Sequence, residues 1–261
     1  MKCKICNTDT ELKFSHRVLR KYEVKYYYCR ECSFLFTEEP YWLEESYKSP
    51  INVIDTGILS RNLYFGKVVS SIIFYLFNKD GRFLDYAGGY GIFTRLMRDY
   101  GYDFYWSDKY SDNLMARGFE FDVSSPQKNF EAITVFEVFE HLIDPLNEIE
   151  KMLSHSDSIL FSTTLLPITV PEPNDWWYYG FNHGQHISFY SRKSLEIIAR
   201  KFDLNFYSCG EIHLFTKKKI NQFVFTAIVK LSKYGIAEIV NRLFMKSKTW
   251  GDHQFLDQVN K

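Results

Sequence analysis

This chain has no excess charge of either sign: 32 lysines and arginines stand against 32 aspartates and glutamates. Without a global field, only a local patch can attract a phosphate polymer, so the bulk charge argues against nucleic acid as a partner. Long apolar runs are missing too. The most apolar stretches, Val68–Phe77 and Phe223–Val229, fall far short of the ~20 residues that a bilayer span needs. Met1-Lys2-Cys3-Lys4 leads into polar sequence instead of an apolar leader, so no signal peptide is expected and a cytoplasmic location fits. No internal repeat and no low-complexity tract is present. An apolar content of 46%, with 18% aromatic residues, excludes extensive disorder and provides for a real core.

Cysteine is scarce as well, yet four of the five fall in one pattern. Cys3, Cys6, Cys29 and Cys32 form two CxxC pairs, while Cys209 stands alone as a small apolar residue. In a reducing compartment paired CxxC motifs favour a metal over disulfides. Zn²⁺ takes four soft ligands in a tetrahedron, and two CxxC knuckles complete that shell with no open position. The site is therefore expected to be structural, stapling a segment too short to hold itself by core burial. His16 lies between the pairs and is read as a surface residue. Glu23–Tyr28 reads as the strand that carries the chain to the second knuckle.

Beyond this segment, residues 37–56 with Pro40 and Pro50 read as a connector, and Leu59–Phe77 as a helix ending at Asn78-Lys79-Asp80-Gly81. From residue 82 strands and helices alternate. Strands are expected at Arg82–Ala87, Asp103–Ser107, Phe119–Val123, Ala132–Phe136 and Ser158–Thr164, with two more near 204–209 and 211–216. Helices are expected at Phe93–Tyr100, after Asp144-Pro145 with Asp as N-cap, and after Ser191. This order implies a mostly parallel sheet covered on both faces. Residues 217–247 read as basic-amphipathic helix.

The turn Asp85-Tyr86-Ala87-Gly88-Gly89-Tyr90-Gly91 follows an apolar strand and opens a helix, placing backbone N–H groups where a polar cofactor can approach. It matches neither GxGxxG nor a P-loop. Asp108 and Asp122 end the next two strands, positions from which carboxylates can read a ribose and an adenine edge.

Phe83–Gly91 resembles motif I of class I S-adenosylmethionine-dependent methyltransferases. Phe136-Glu137-Val138-Phe139-Glu140-His141-Leu142-Ile143-Asp144-Pro145 is similar to their EVLEH-x-x-DP segment, and His186-Ile187-Ser188-Phe189-Tyr190-Ser191 to an HISFYS stretch. The three ordered motifs span about residues 80–200. The resemblance implies an α/β, Rossmann-like fold, a seven-stranded mostly parallel sheet with a small N-terminal zinc ribbon. Its implied organisation is a ribbon over 1–40, connector and helix over 41–80, methyltransferase core over 81–216 and a helical segment over 217–261. It further implies that Asp85 and the backbone of Ala87, Gly88, Gly89 and Gly91 hold the methionine end of S-adenosylmethionine, Asp108 the ribose, Asp122 the adenine edge, and Phe136 the methionine amine. Ala87 departs from the family, which usually carries glycine there.

Zinc-ribbon deoxysugar C-methyltransferases resemble the chain in architecture and use a histidine base at the place of His186. Their preceding glutamate is Gln185 here, with His183 two residues further back. His186 is the expected base and His141 a second candidate for the chemistry. The aromatic loop Trp176, Trp177, Tyr178, Tyr179 and Phe181 suits a sugar ring. No Asn/Asp-Pro-Pro-Tyr appears, so the signature of amide and adenine N-methylation is missing. The expected activity is methyl transfer to a hydroxyl, ahead of a carbon, of a sugar, nucleotide-sugar or surface-polysaccharide precursor. Two other readings compete. One is an RNA methyltransferase gripping RNA through ribbon cations such as Arg17, Arg20 and Lys25. The other is an inactive scaffold, against which the acids at 85, 108 and 122 argue.

Overall fold

The computed structural model describes residues 1–48, 55–124 and 127–259; Pro50, expected in the connector, lies outside them. At the N-terminus, β1 (Glu11–Val18), β2 (Tyr22–Cys29) and β3 (Phe34–Thr37) pair antiparallel. Alternation in β2 buries Val24 and Tyr26 while Glu23 and Lys25 stay toward solvent. A short helix, α1 (Leu43–Ser46), and a long one, α2 (Ile58–Leu76), lead into the second sheet.

That sheet is built from β4 (Arg82–Tyr86), β5 (Asp103–Ser107), β6 (Ala132–Val135), β7 (Ser158–Ser162), β9 (Asn205–Cys209) and β10 (Ile212–Thr216). Its order is β5-β4-β6-β7-β10-β9, with the first three pairings parallel and the last two antiparallel. Neighbouring residues of one strand enter opposite cores. Phe83 packs with α2, α3 (Ile92–Asp99) and α6 (Gln222–Leu231). Leu84 packs with α4 (Pro145–Leu153) and α5 (Arg192–Lys201). Both faces are thus covered, which is why the strands read as continuous apolar runs. Asp144 caps α4 by accepting from Asn147 N, with Pro145 in the first turn, and Ser191 caps α5 by accepting from Ser194 N at 3.1 Å.

The count of seven strands is corrected to six among the described residues. Phe119–Val123 meets the edge only through a parallel bridge between Glu120 and Trp106. Just beyond, the Asp122 carboxylate accepts from Ser124 N and Ser124 Oγ, both at 2.8 Å, and turns the chain off the sheet.

The remaining strand, β8 (Ser188–Phe189), does not join this sheet. It pairs with β3, Leu35 opposite Phe189 and Phe36 opposite Ser188, and completes a four-stranded N-terminal sheet. Cys3, Cys29, Cys32, Phe34 and Phe36 accordingly share one apolar core with Leu84, Phe161 and Leu195. No helix among the described residues is long and apolar enough to cross a membrane.

After α7 (Ile236–Phe244), the terminal helix α8 (Thr249–Val259) returns to α3. Arg98 donates to Asp252 through Nε at 2.8 Å and Nη2 at 2.7 Å, and through Nη1 to Asp103 and to Phe104 O. Burial pushes the Asp252 carboxyl up, but its hydrogen bonds to Arg98 outweigh this and hold it below the usual carboxylate range. Asp252→Asn is expected to cost about 1.5–3 kcal/mol at neutral pH, because it removes one of the two carboxylates paired with the buried Arg98 guanidinium. A carboxyl depressed on folding stabilises above its unfolded pKa and stops doing so as pH falls through the folded one. The gap between wild type and variant in urea melts should therefore close below about pH 4.

Candidate active site and cysteine quartet

The carboxyl ends of β4, β5 and β6 open into a cleft of about 2280 Å³, well above the ~300–1,000 Å³ of a single small-ligand pocket. At its floor lies Asp85, only 3% exposed. Its oxygens accept from Thr94 Oγ1 at 2.9 Å and Thr134 Oγ1 at 3.1 Å. Burial pushes this carboxyl up to about 7 against the pull of the two hydroxyls.

The turn after β4 wraps around that carboxyl. A Cβ on Gly88 would stand 2.6 Å from Asp85 Oδ2 and 2.7 Å from the Trp106 ring, so only glycine fits. Ala87 adopts φ +58°, the left-handed region that glycine tolerates without penalty. Gly91 does not line the cleft with the others. It stands behind them at the N-cap of α3 with φ +79°, and a Cβ there would meet Asn113 Oδ1 at 2.6 Å.

Asp108 lies across the turn. Its Oδ2 accepts from Gly89 N at 2.9 Å, and its Oδ1 from Tyr110 N and Ser111 N at 2.7 and 2.8 Å. A carboxylate has about four acceptor positions, so one remains on Oδ2 for a ligand hydroxyl. Asp122 is exposed at the rim, engaged with Ser124. Phe136 stacks on Phe65 at 4.3 Å and meets Phe93 edge-on. Asp85, Ala87, Gly88, Gly89, Asp108, Asp122 and Phe136 line one cleft, and His141 and His186 line it as well.

The histidine end is assembled from two segments. A short turn over Phe139–His141 carries Glu140 and His141, and the loop before β8 carries His183, Gln185 and His186. Ile187 N donates to Glu140 O at 2.8 Å and Ser188 Oγ to Leu142 O at 2.7 Å, locking one segment to the other. His186 Nδ1 lies 2.6 Å from the Tyr178 carbonyl. A carbonyl only accepts, so Nδ1 carries the proton and Nε2 the lone pair. His141 Nδ1 bonds the Tyr47 hydroxyl at 2.8 Å. Burial pushes His141 down to about 3 and His186 well below the ordinary imidazole range; their histidine neighbours add to this. Both rings are therefore neutral at physiological pH.

Glu140, read from the sequence only as a partner of His141 in orienting the loop after the strand, is not among the expected site residues. It is fully buried, and neither of its carboxylate oxygens has a hydrogen-bond partner. Burial raises its carboxyl well above the usual range, with the charge of Glu137 adding to the effect and the nearby Tyr178 and Thr163 hydroxyls opposing it. The spacing Glu137-x-x-Glu140-His141 around a single turn was the available signal. Tyr47, which orients His141, had none.

The aromatic loop divides. Tyr178 and Tyr179 are buried, the latter against Phe14 and Tyr26 of the N-terminal sheet, whereas Trp176, Trp177 and Phe181 line the cleft. Arg17 and Arg20 reach the same cleft from the N-terminal sheet.

The four remaining cysteines form a separate cluster. Their sulfurs all lie within 4.8 Å of one another, with Cys3–Cys32 and Cys6–Cys29 each at 3.4 Å. A tetrahedral shell with Zn–S bonds of ~2.3 Å puts its sulfurs ~3.8 Å apart, so the donor set fits zinc. Asn7 and Ser33, each just after the second cysteine of a pair, take left-handed φ of 61° and 55°, giving two matched knuckles.

A family model described as "Methyltransferase domain" matches residues 61–208. No curated protein matches the chain. Solved structures similar to it include magnesium protoporphyrin IX methyltransferase of Synechocystis PCC 6803 with bound SAH, at 12% identity over 66% of this chain and 90% of that one, TM-score 0.45. Another is an O-methyltransferase family 2 protein of Planctomyces limnophilus in complex with apigenin, at 15% identity over 67% and 65%, TM-score 0.42. A third is a methyltransferase in calicheamicin biosynthesis, SAH bound, at 10% identity over 61% and 55%, TM-score 0.42.

Replacing Ala87 by glycine is expected to stabilise the chain by about 0.5–1 kcal/mol, the left-handed penalty less the extra freedom of unfolded glycine. A higher urea midpoint at unchanged slope is the readout.

Proposed function

Because the chain belongs to the methyltransferase-domain family and is an S-adenosylmethionine-dependent methyltransferase, we propose that it methylates a hydroxyl, ahead of a carbon, of a carbohydrate-like acceptor. A sugar, a nucleotide-sugar or a surface-polysaccharide precursor fits best. One observation carries this reading: the glycine turn with its acids and the neutral histidine cluster share a single cleft large enough for two ligands.

On the cofactor side, Asp85, the backbone of 87–89, Asp108, Asp122 and Phe136 hold S-adenosylmethionine. The methionine ammonium, arriving beside Asp85, favours the charged form of that buried carboxyl. The sulfonium supplies an already activated methyl, so the chain's task is alignment and disposal of one proton. On the acceptor side, His186 Nε2 offers a lone pair to the acceptor hydroxyl and His141 flanks it. Trp176, Trp177 and Phe181 suit the apolar face of a sugar ring. Arg17 and Arg20 suit an anionic group such as a nucleotide diphosphate.

The RNA reading is weaker. Several ribbon cations are already engaged: Lys2 pairs with Asp9, Lys21 with Glu45 and Arg30 with Glu11. In this reading the cysteine quartet holds a closed, structural zinc that takes no part in the chemistry.

Calorimetry should detect S-adenosylmethionine binding, and labelled methyl should pass to a member of a nucleotide-sugar panel. His186→Ala is expected to keep cofactor affinity within about twofold and to lose ~10²-fold or more in turnover. Unchanged turnover would remove His186 from the chemistry, and absence of cofactor binding would end the reading. Because burial lowers the His186 pKa, its lone pair persists below the ~6.5 at which an exposed imidazole is half protonated. Wild-type rate should therefore not fall on its account between pH 8 and 6.

A further inference from the structure

We propose that Glu140, His141 and His186 form a divalent-cation site of the first-row transition type at the acceptor end of the cleft. Three independent features converge on it. The side-chain donor atoms of the three residues all lie within 4.8 Å of one another, close to the ~3–4 Å that ligands of one ion keep. Both Glu140 oxygens are buried without a hydrogen-bond partner, the nearby Tyr178 and Thr163 hydroxyls being bonded to each other while still favouring its charged form. Such a carboxyl is costly to leave unsatisfied, and a cation satisfies it. Finally, each histidine has its Nδ1 engaged, His141 by the Tyr47 hydroxyl and His186 by the Tyr178 carbonyl. That arrangement leaves the opposite nitrogen of each ring as the donor a metal would take, and it holds the rings as outer partners of metal-bound histidines do.

Two imidazoles and one carboxylate select Mn²⁺, Fe²⁺, Co²⁺ or Zn²⁺ over Mg²⁺ or Ca²⁺, and they leave coordination positions open. The bonds from Ile187 N to Glu140 O and from Ser188 Oγ to Leu142 O hold the two ligand-bearing segments together before any ion arrives. Glu137 is not part of the set, since its Oε1 accepts from Ser162 Oγ and its Oε2 faces Arg61.

The role of such an ion rests on the methyl-transfer reading given above, keeping its cofactor and acceptor and taking over the proton removal there given to His186. An acceptor hydroxyl bound at an open position is acidified, and its proton passes to water. The oxygen lone pair then forms the O–CH₃ bond as the C–S bond breaks. That bonding pair goes to sulfur, and the sulfonium becomes a neutral thioether. The His186 lone pair serves as a ligand in this scheme, and the ion does the work of a base.

The test uses the full chain with zinc loaded in its cysteine quartet, titrated separately with Mn²⁺ and Co²⁺ by calorimetry, with Mn²⁺ also followed by paramagnetic resonance. One saturable site per chain is expected. Glu140→Gln and His141→Ala, checked for folding by thermal melts, should each weaken it ~10²-fold, and Tyr47→Phe ~10-fold. All three should keep S-adenosylmethionine affinity. If neither metal binds, or if binding survives both Glu140→Gln and His141→Ala unchanged, the proposal is overturned. A chain that binds Mn²⁺ at this site but no cofactor would instead refute the methyl-transfer reading and leave the metal site standing.

Discussion

The pairing of β3 with β8 is the interaction on which the rest of the molecule depends. It is only two residue pairs long, yet it ties the N-terminal sheet beside the cysteine quartet to the loop that carries His183, Gln185 and His186. Other bonds run alongside it. Leu19 N donates to Phe181 O, Trp42 Nε1 to Gly184 O, Thr37 N to Ile187 O and Ser191 Oγ to Cys32 O. The next link, Ile187 N to Glu140 O, passes the alignment to the turn after β6. The N-terminal module thus braces one wall of the cleft and also lines it, through His16, Arg17 and Arg20.

Strained backbone and a buried carboxyl are both present where the two ligands of the cleft would meet. Ala87 and Glu137 both hold left-handed backbone, one at the glycine turn and one directly after Phe136. Glu140 is buried without a partner between two neutral histidines. Elsewhere Thr37 Oγ1, Arg82 Nε and His155 Nδ1 are also buried without a hydrogen-bond partner, whereas the Arg98–Asp252 pair that docks the terminal helix is matched.

Local signals made much of this architecture legible. Apolar runs marked β4, β6, β7 and β10, Asp144-Pro145 and Ser191 marked helix starts, and the CxxC pairs marked the quartet. Other features depend on residues far apart in the chain. A two-residue strand such as β8 has no periodicity to read, and its partner lies about 150 positions away, so its transfer to the N-terminal sheet was invisible. The seventh strand failed because the side chain of Asp122 bonds locally to Ser124, a competition that propensity alone does not resolve. Gly91 was placed among the cofactor residues by motif, whereas its backbone angle and the nearby Asn113 make it a conformational requirement of the turn. The burial of Glu140 is a property of packing: nothing in the sequence tells that the Tyr178 and Thr163 hydroxyls, bonded to each other, come to lie beside its carboxyl.

The central claim is that the N-terminal sheet, with its cysteine quartet, holds the histidine loop in place. Amide hydrogen exchange compared between wild type and Cys32→Ser tests it most directly. The account predicts that protection falls together over Phe34–Thr37 and Ile187–Phe189, while β4, β6 and β7 keep theirs. Loss confined to the N-terminal strands, with Ile187–Phe189 as protected as before, would contradict it.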